Sequence, residues 1–321
     1  MTEKRIKPRR LQPGQTVGVV APGYCIDEDD QIHAALETVA SLGFRVKAGE
    51  HLFARHGYFA GDDAGRAADL MAMFADPEVA GIICLRGGYG CSRLLPLLDF
   101  DLIRRNPKVL VGYSDVTALL NPIHARTGLV TFHGPIADQT FSAYTLAELR
   151  KVVIEGQAGV TLGAAPPFEA APGKVERTNR VVTLAPGRAA GRLMGGNLTL
   201  LAHLAGTPFA PATRGAILFL EDVQERVYSI DRMLTQLWLA GQLQQAAGIV
   251  LGKFTEVPPA RHAHQFTLEQ VLRDRFENLG VPVVRGLMIG HVADQTTLPI
   301  GCQVELDADA QTLTLLETAV Q

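Results

Sequence analysis

The segment Lys108-Val-Leu-Val-Gly-Tyr-Ser114-Asp-Val-Thr-Ala-Leu-Leu120 predicts a buried strand that turns sharply into a helix, with one serine at the turn. A serine there can present its hydroxyl at a helix N-terminus, where backbone N–H groups lack internal partners. Those N–H groups can stabilise an oxyanion, so the geometry suits a nucleophile. The alternative is that Ser114 only caps the helix. Gly112 fits the first glycine of the Gly-x-Ser-x-Gly elbow, but Val116 replaces the second.

The chain around this segment alternates short apolar runs with amphipathic stretches. Strand patterns at 16–21, 81–85 and 129–132 are separated by helical patterns, of which 31–42 is the clearest. This alternation predicts an α/β fold with a parallel sheet covered on both faces. Such sheets hold their sites beyond the carboxyl ends of the strands, which is where Ser114 falls.

A change of composition predicts a domain boundary. Residues 156–178 are rich in Gly, Ala and Pro and show no helical period. We therefore expect an N-terminal α/β domain over 1–155, a linker over 156–178 and a C-terminal domain over 179–321. The tail, 302–316, alternates in the manner of a β-hairpin.

Composition excludes several classes of function. A net charge of -3 offers no strong cationic field for nucleic acid. No run of about 18 apolar residues occurs, so we expect no membrane span. The basic residues among the first ten are followed by no apolar stretch, which indicates a solvated leader rather than a secretory signal. Four cysteines without a Cys-x-x-Cys pair favour reduced thiols in a cytoplasmic protein without structural zinc.

A serine nucleophile needs a base and an orienting acid. Of the nine histidines, His133 and His291 each follow a predicted strand, the first over 129–132 and the second over 283–289. The Gly134-Pro135 turn after His133 also fits a buried, hydrogen-bonded histidine, and a structural role is the alternative for both.

The acid has two candidates on one predicted strand. Glu221 and Asp222 follow the apolar run 216–220 directly. A carboxylate at the end of a buried strand is costly to desolvate unless it is paired. The alternative is a simple ion pair with Arg226 or Arg232.

The loop 86–90, Arg-Gly-Gly-Tyr-Gly, supplies flexible backbone near Ser114. It matches neither nucleotide-binding glycine pattern, so an oxyanion donor is favoured over a phosphate cradle. His262 and His264 lack the spacing of a helical zinc site. We expect no metal and no cofactor.

Taken together, these segments identify a family. The chain resembles the LD-carboxypeptidases, serine peptidases that also include the microcin C immunity peptidases. The matching pieces, in the family's order, are Val20-Ala-Pro-Gly23, Leu85-Arg-Gly-Gly-Tyr-Gly90, Val111-Gly-Tyr-Ser-Asp115, Phe132-His-Gly-Pro135, Gly195-Gly-Asn-Leu-Thr199, Phe219-Leu-Glu-Asp222 with Tyr228-Ser-Ile-Asp-Arg232, and Gly290-His291.

The resemblance implies a catalytic triad of Ser114, Glu221 and His291. It also implies an oxyanion hole formed by the backbone N–H groups of about Gly88 and Asp115. The implied fold is an N-terminal domain resembling class I glutamine amidotransferases and a C-terminal domain with a small β-barrel, with the triad split between them. Family members are commonly homodimers.

The implied reaction is release of the terminal D-alanine from a cytoplasmic murein tetrapeptide during cell-wall recycling. A free terminal carboxylate needs a cationic or N–H-rich pocket. Arg86, Tyr89 and Arg232 are the residues we expect to contact substrate.

Two rival functions stay open. One is an immunity-type peptidase that cleaves peptidyl or aminoacyl nucleotides, which would need an aromatic surface for the base. The only tryptophan, Trp238, lies in a helical pattern that predicts burial, and this favours the murein peptide. The other rival is a non-catalytic module that binds an anionic ligand at the glycine-rich loop.

Overall fold

Two β-sheets organise the chain in the computed structural model, which describes residues 5–259 and 264–321. The strands in chain order are β1 Thr16–Val20, β2 Arg45–Ala48, β3 Val79–Cys84, β4 Val109–Gly112, β5 Thr131–His133, β6 Val160–Thr161, β7 Val182–Ala185, β8 Arg188–Asn197, β9 Ala216–Val223, β10 Gly248–Thr255, β11 Val283–Arg285, β12 Leu298–Ile300, β13 Gln303–Asp307 and β14 Thr312–Leu315.

Helices cover and connect these strands. They are α1 Asp29–Ser41, α2 Asp63–Ala75, α3 Cys91–Leu94, α4 Phe100–Arg105, α5 Thr117–Thr127, α6 Ala143–Leu149, α7 Leu198–Leu204, α8 Val227–Leu239 and α9 Leu268–Phe276. None of the helices in the described ranges has both the length and the apolar character that a bilayer span requires.

The first sheet has the order β12-β5-β4-β3-β1-β2. The five strands from the first half of the chain run parallel. β12 comes from the far end of the sequence and pairs antiparallel with β5, Leu298 opposite His133. The expected α/β fold is confirmed, but both of its sheets are mixed.

The second sheet has the order β6-β14-β13-β8-β9-β10-β11-β7. Its centre, β8 to β11, is parallel. The predicted hairpin at the end of the chain is confirmed as β13 and β14. The main apolar core includes buried residues of both sheets, and a smaller core lies between the second sheet and α8 and α9.

The two halves of the chain meet where α5 packs on β8. Asn121 Nδ2 donates to the carbonyl of Gly195 at 2.9 Å, and the Asn197 N–H donates to Thr117 Oγ1 at 3.1 Å. A Cβ on Gly196 would lie 2.5 Å from Thr117 Oγ1, so only glycine permits this approach. The helix that follows Ser114 is therefore held directly against the second sheet.

Two local predictions were wrong, and one strand was not predicted. Residues 5–11 are not a solvated leader: Leu11 is buried, and Arg5 and Lys7 pair with Glu317. The strand predicted over 283–289 ends at Arg285. β12 was not predicted, because it is three residues long and contains Pro299, which a strand tolerates at the edge of a sheet.

Candidate active site

Ser114 lies at the sharp turn between β4 and α5. Its φ of 61° is in the left-handed region, which non-glycine residues adopt rarely and mostly where the surrounding structure imposes it. The serine opens a short 3₁₀ turn, Ser114–Val116, and the side-chain hydrogen bond that its hydroxyl makes is to His291 rather than to the backbone of that turn or of α5. The helix-cap alternative therefore does not describe this residue.

The hydroxyl of Ser114 contacts a histidine from the second half of the chain. His291 Nε2 lies 3.1 Å from Ser114 Oγ, and His291 Nδ1 lies 2.8 Å from Glu221 Oε2. With Nδ1–H donating to the carboxylate, Nε2 accepts the serine proton. The Glu221 side chain is fully buried, whereas the His291 side chain retains 19% of its exposure. The structure thus brings together all three residues expected to form the triad.

A glycine makes room for the carboxylate beside His291. Gly290 has a φ of 105°, and a Cβ there would lie 2.5 Å from Glu221 Oε2. The ring of Tyr113 packs against His291 with centroids 4.8 Å apart. The imidazole is therefore held by packing as well as by hydrogen bonds.

The two neighbouring acids on β9 have different partners. Asp222 accepts hydrogen bonds from Asn197 Nδ2 at 3.0 Å and from Thr199 Oγ1 at 2.8 Å. Burial, and then the charge of Glu221, raise the pKa of Asp222 to about 6. Among the ion pairs of the described chain, neither acid is joined to Arg226 or Arg232, so the ion-pair alternative was wrong.

The glycine-rich loop lies directly over the serine. A Cβ on Gly87 would be 2.9 Å from Ser114 Cβ and 3.3 Å from the Asp115 nitrogen. The next residue, Gly88, has a φ of 99°, and Tyr24 packs where its side chain would stand. Within the described backbone, the Gly88 N–H donates to no carbonyl. The predicted oxyanion donor therefore follows immediately after Gly87, where any side chain would collide with Ser114.

The side chain of Asp115 anchors the end of this loop. The residue is completely buried, and its Oδ2 accepts the Cys91 N–H at 2.9 Å. Burial raises the pKa of this carboxyl, and the hydrogen bonds from Cys91 act against that rise. The sequence analysis assigned a role only to the backbone N–H of Asp115, in the oxyanion hole. It did not predict the hydrogen bond between the Asp115 carboxylate and Cys91, because their separation of 24 residues matches no recognisable motif.

Comparison with known sequences decides the family. Residues 17–134 match the LD-carboxypeptidase N-terminal domain, and residues 190–306 match the LD-carboxypeptidase C-terminal domain. The chain belongs to the LD-carboxypeptidase family. It is a serine peptidase.

Individual members of the LD-carboxypeptidase family match over almost the full chain. A probable murein peptide carboxypeptidase of Bacillus subtilis is 40% identical over 95% of this chain and 93% of its own length. The crystal structure of a muramoyltetrapeptide carboxypeptidase from Oxalobacter formigenes is 32% identical, with a TM-score of 0.77, over 94% of this chain and 98% of that one. A third match is the microcin C7 self-immunity protein MccF, a protein of Escherichia coli. Its structure in complex with aspartyl sulfamoyl adenosine is 27% identical to this chain, with a TM-score of 0.87, over 98% of this chain and 100% of that one.

The residues expected to contact substrate occupy different surroundings. Arg86 is half-buried and donates from Nη1 to the Cys25 carbonyl at 3.2 Å. Tyr89 belongs to a group of aromatic rings beside the glycine-rich loop. Arg232 is exposed on α8, with its guanidinium 5.7 Å from the Tyr228 ring centroid. Among the hydrogen bonds, ion pairs and ring contacts of the described chain, none joins these three side chains to the triad, and their role stays a prediction.

An aromatic group beside Gly88 was not anticipated from the sequence. The ring of Tyr58 lies 5.3 Å from Tyr24 and 6.3 Å from Tyr89 between centroids, and 4.5 Å from Phe59. Tyr58 remains 55% exposed. The loop that covers Ser114 is therefore flanked by an accessible aromatic surface.

His133 is buried, as expected, but it is not hydrogen-bonded. In the described part of the chain neither of its ring nitrogens has a partner. Its ring meets Phe219 edge-on at 5.1 Å, and burial lowers its pKa to about 4. A neutral histidine lacking hydrogen bonds therefore lies at the seam between the sheets, next to Glu221 and His291.

Trp238 is 43% exposed, so the prediction that it is buried was wrong. It lies eleven residues after the start of α8, about 17 Å along the helix axis.

His262 lies outside the described residues. Among those described, no three His, Cys, Asp or Glu side chains gather closely enough to hold a metal ion.

Proposed function

We propose that this protein is an LD-carboxypeptidase that releases the terminal D-alanine from a murein tetrapeptide through an acyl-enzyme. The observation that carries the proposal is the placement of His291 between Glu221 Oε2 at 2.8 Å and Ser114 Oγ at 3.1 Å. The relatives named for murein peptide and muramoyltetrapeptide substrates support the choice of substrate.

The mechanism follows from these contacts. His291 Nε2 takes the Ser114 proton as Oγ bonds to the carbonyl carbon of the residue before the D-alanine. The C–N bond then breaks, and the leaving amine takes the proton from His291. Water, deprotonated by the same imidazole, attacks the ester, and the proton returns to Ser114 as the peptide acid leaves. Glu221 holds the imidazole in the tautomer this cycle requires.

The oxyanion that forms on the carbonyl needs donors close to Ser114. We assign this role to the backbone N–H groups of Gly88 and Asp115. The close approach of the loop to Ser114 and Asp115 supports the assignment, because donors fixed before the reaction cost no reorganisation during it.

The finer structural expectations belong to the same proposal. We infer a nucleophile-bearing domain over 1–155 that resembles class I glutamine amidotransferases, a linker over 156–178, and a domain over 179–321 built around a small β-barrel. We also infer a cytoplasmic homodimer that binds neither nucleic acid nor membrane and needs no cofactor. The position of Ser114 directly after β4 of the first sheet and of Glu221 within β9 of the second supports the division.

A second candidate function is cleavage of an aminoacyl or peptidyl nucleotide. It is favoured by the aromatic group around Tyr58 and by the likeness to MccF in complex with aspartyl sulfamoyl adenosine. Nucleobases stack on such rings.

One experiment separates the three readings. The protein is incubated with murein tetrapeptide and, in parallel, with an aminoacyl sulfamoyl adenylate, and products are identified by mass spectrometry. We expect loss of a single alanine from the tetrapeptide, with no loss in Ser114→Ala. Faster cleavage of the adenylate would favour the second function. Stoichiometric binding without turnover, together with no labelling of Ser114 by a fluorophosphonate, would favour the non-catalytic module.

A further inference from the structure

A cavity of about 380 Å³ lined by basic residues lies at the carboxyl ends of β10 and β11. We call it the basic pocket; its cations are Arg177, Arg180, Lys253 and Arg285. Its size falls in the range of sites that hold small ligands. Ligands of parallel sheets bind at this end of the strands, so the position of the basic pocket, like its size, suits a binding site.

The basic pocket adjoins the candidate active site. β10 is the neighbour of β9, with Leu251 opposite Leu220 and Phe254 opposite Asp222, so Lys253 lies one strand away from Glu221. The Lys253 N–H donates to the Ile289 carbonyl at 2.9 Å. Val292, which follows His291 in the chain, lines the cavity.

The wall formed by residues 177–180 is fixed to the second sheet. Lys253 Nζ donates to the Thr178 carbonyl at 3.1 Å. Gly286 has a φ of 104°, and a Cβ there would lie 2.3 Å from the Arg180 carbonyl oxygen, so this wall packs tightly on the end of β11. The Glu176 carboxylate accepts the N–H groups of Thr178 and Asn179.

The cations of the basic pocket outnumber the carboxylates that face them. Arg285 pairs with Glu269, and Glu176 attracts Lys253. Arg177 and Arg180 are in no ion pair of the described chain. Burial lowers the pKa of Lys253, and the nearby Arg285 lowers it further. Thr255 Oγ1, also on the wall, is buried without a partner. Like charges gathered in one cavity favour binding of an anion.

We propose that the basic pocket binds a carboxylate that the substrate peptide carries away from the scissile bond. The inference rests on the proposed function, because it assigns part of the same substrate to a neighbouring subsite. A single alanine carboxylate would leave most of the cavity unfilled, so the occupant is an acidic residue of the peptide. A phosphate would satisfy the same cations, and the experiment separates the two anions.

The test compares kinetics on matched peptides. The double variant Arg177→Ala/Arg180→Ala is assayed on a tetrapeptide with free internal carboxylates and on the same peptide with those carboxylates amidated. Both arginines are exposed, so the fold is expected to persist. We expect KM for the free peptide to rise about tenfold or more with kcat changed less than twofold, because losing hydrogen bonds to a charged group weakens binding by at least that factor. KM for the amidated peptide should be high already in the wild type and unchanged in the variant.

Arg214→Ala is the matched control, because Arg214 is exposed just before the amino end of β9, at the other end of the sheet. An equal rise in KM on both peptides, or the same rise in Arg214→Ala, would overturn the proposal.

A direct binding measurement distinguishes a failure of this inference from a failure of the proposed function. Ser114→Ala, with and without the double substitution, is titrated calorimetrically with the tetrapeptide and with adenosine monophosphate. We expect the peptide to bind Ser114→Ala at least tenfold more tightly than the triple variant. If the wild type releases no alanine but this difference is present, only the proposed function fails. Arginine-dependent binding of the nucleotide alone would replace the carboxylate with a phosphate.

Discussion

The two sheets bring different things to the candidate active site. The first supplies backbone geometry: a serine at a φ of 61° and a glycine-rich loop pressed against it. The second supplies ionisable side chains, Glu221 from within β9 and His291 from the loop after β11. Neither sheet can activate a nucleophile alone, since the hydroxyl comes with the first sheet and its base with the second. The chemistry therefore depends on the contacts that hold the sheets together.

The largest expected effect tests whether Ser114, from the first sheet, and Glu221, from the second, act together in catalysis. Ser114→Ala should lower kcat by about 10⁶-fold, because it removes the nucleophile, and Glu221→Gln by about 10⁴-fold, because it favours the wrong imidazole tautomer. The double variant should be no worse than Ser114→Ala alone. The measurement is steady-state alanine release, with circular dichroism confirming the fold. Effects that multiply in the double variant would show that the two residues act independently.

A smaller effect is expected from the joint between the sheets. In Gly196→Ala the new Cβ would meet Thr117 at 2.5 Å and push α5 away from β8. A displacement of about 1 Å at a reacting group costs about 10²-fold in rate, so kcat should fall by that order.

Gly206→Ala is the control for the Gly196 variant. Gly206 also has a positive φ, of 84°, but nothing lies within 4 Å of its Cβ position. It should therefore show backbone strain without loss of kcat. Equal losses in the two variants would mean that strain, not the position of the sheets, limits turnover.

The smallest effect concerns stability at the seam, where His133 of the first sheet packs on Phe219 of the second. Burial lowers the pKa of His133 from 6.5 to about 4, so the unfolded chain binds a proton in this window and the native state does not. The free energy of unfolding should therefore fall as the pH drops from about 6.5 toward 4, by about 2 kcal/mol at pH 5.

His133→Phe should remove that loss. Urea unfolding at pH 7 and pH 5 measures the free energy of unfolding at each pH. Between pH 7 and pH 5 the variant should lose less of this free energy than the wild type. The exposed His203→Gln serves as the control for removing a histidine. The same pH dependence in His133→Phe and wild type would show that His133 is not held neutral.

Much of this arrangement could be predicted locally. The elbow at Ser114 and the alternation of strands and helices follow from patterns of a few residues, and the structure has both. Choosing Glu221 over Asp222 and His291 over His133 required resemblance to a family, because adjacent acids and strand-end histidines look alike in sequence. The exposure of Trp238 was mispredicted, since a helical period does not say which face is covered.

The sequence by itself determined the alternation of strands and helices along the first half of the chain and the residue types able to carry acyl transfer, since these depend on local periodicity and side-chain chemistry. Only the tertiary structure decided that β12 joins the first sheet, that Gly87 touches Ser114, and that an imidazole reaches a hydroxyl 177 residues away along the chain. Contacts of that kind arise from packing between distant segments, and no local pattern encodes how two sheets settle against each other.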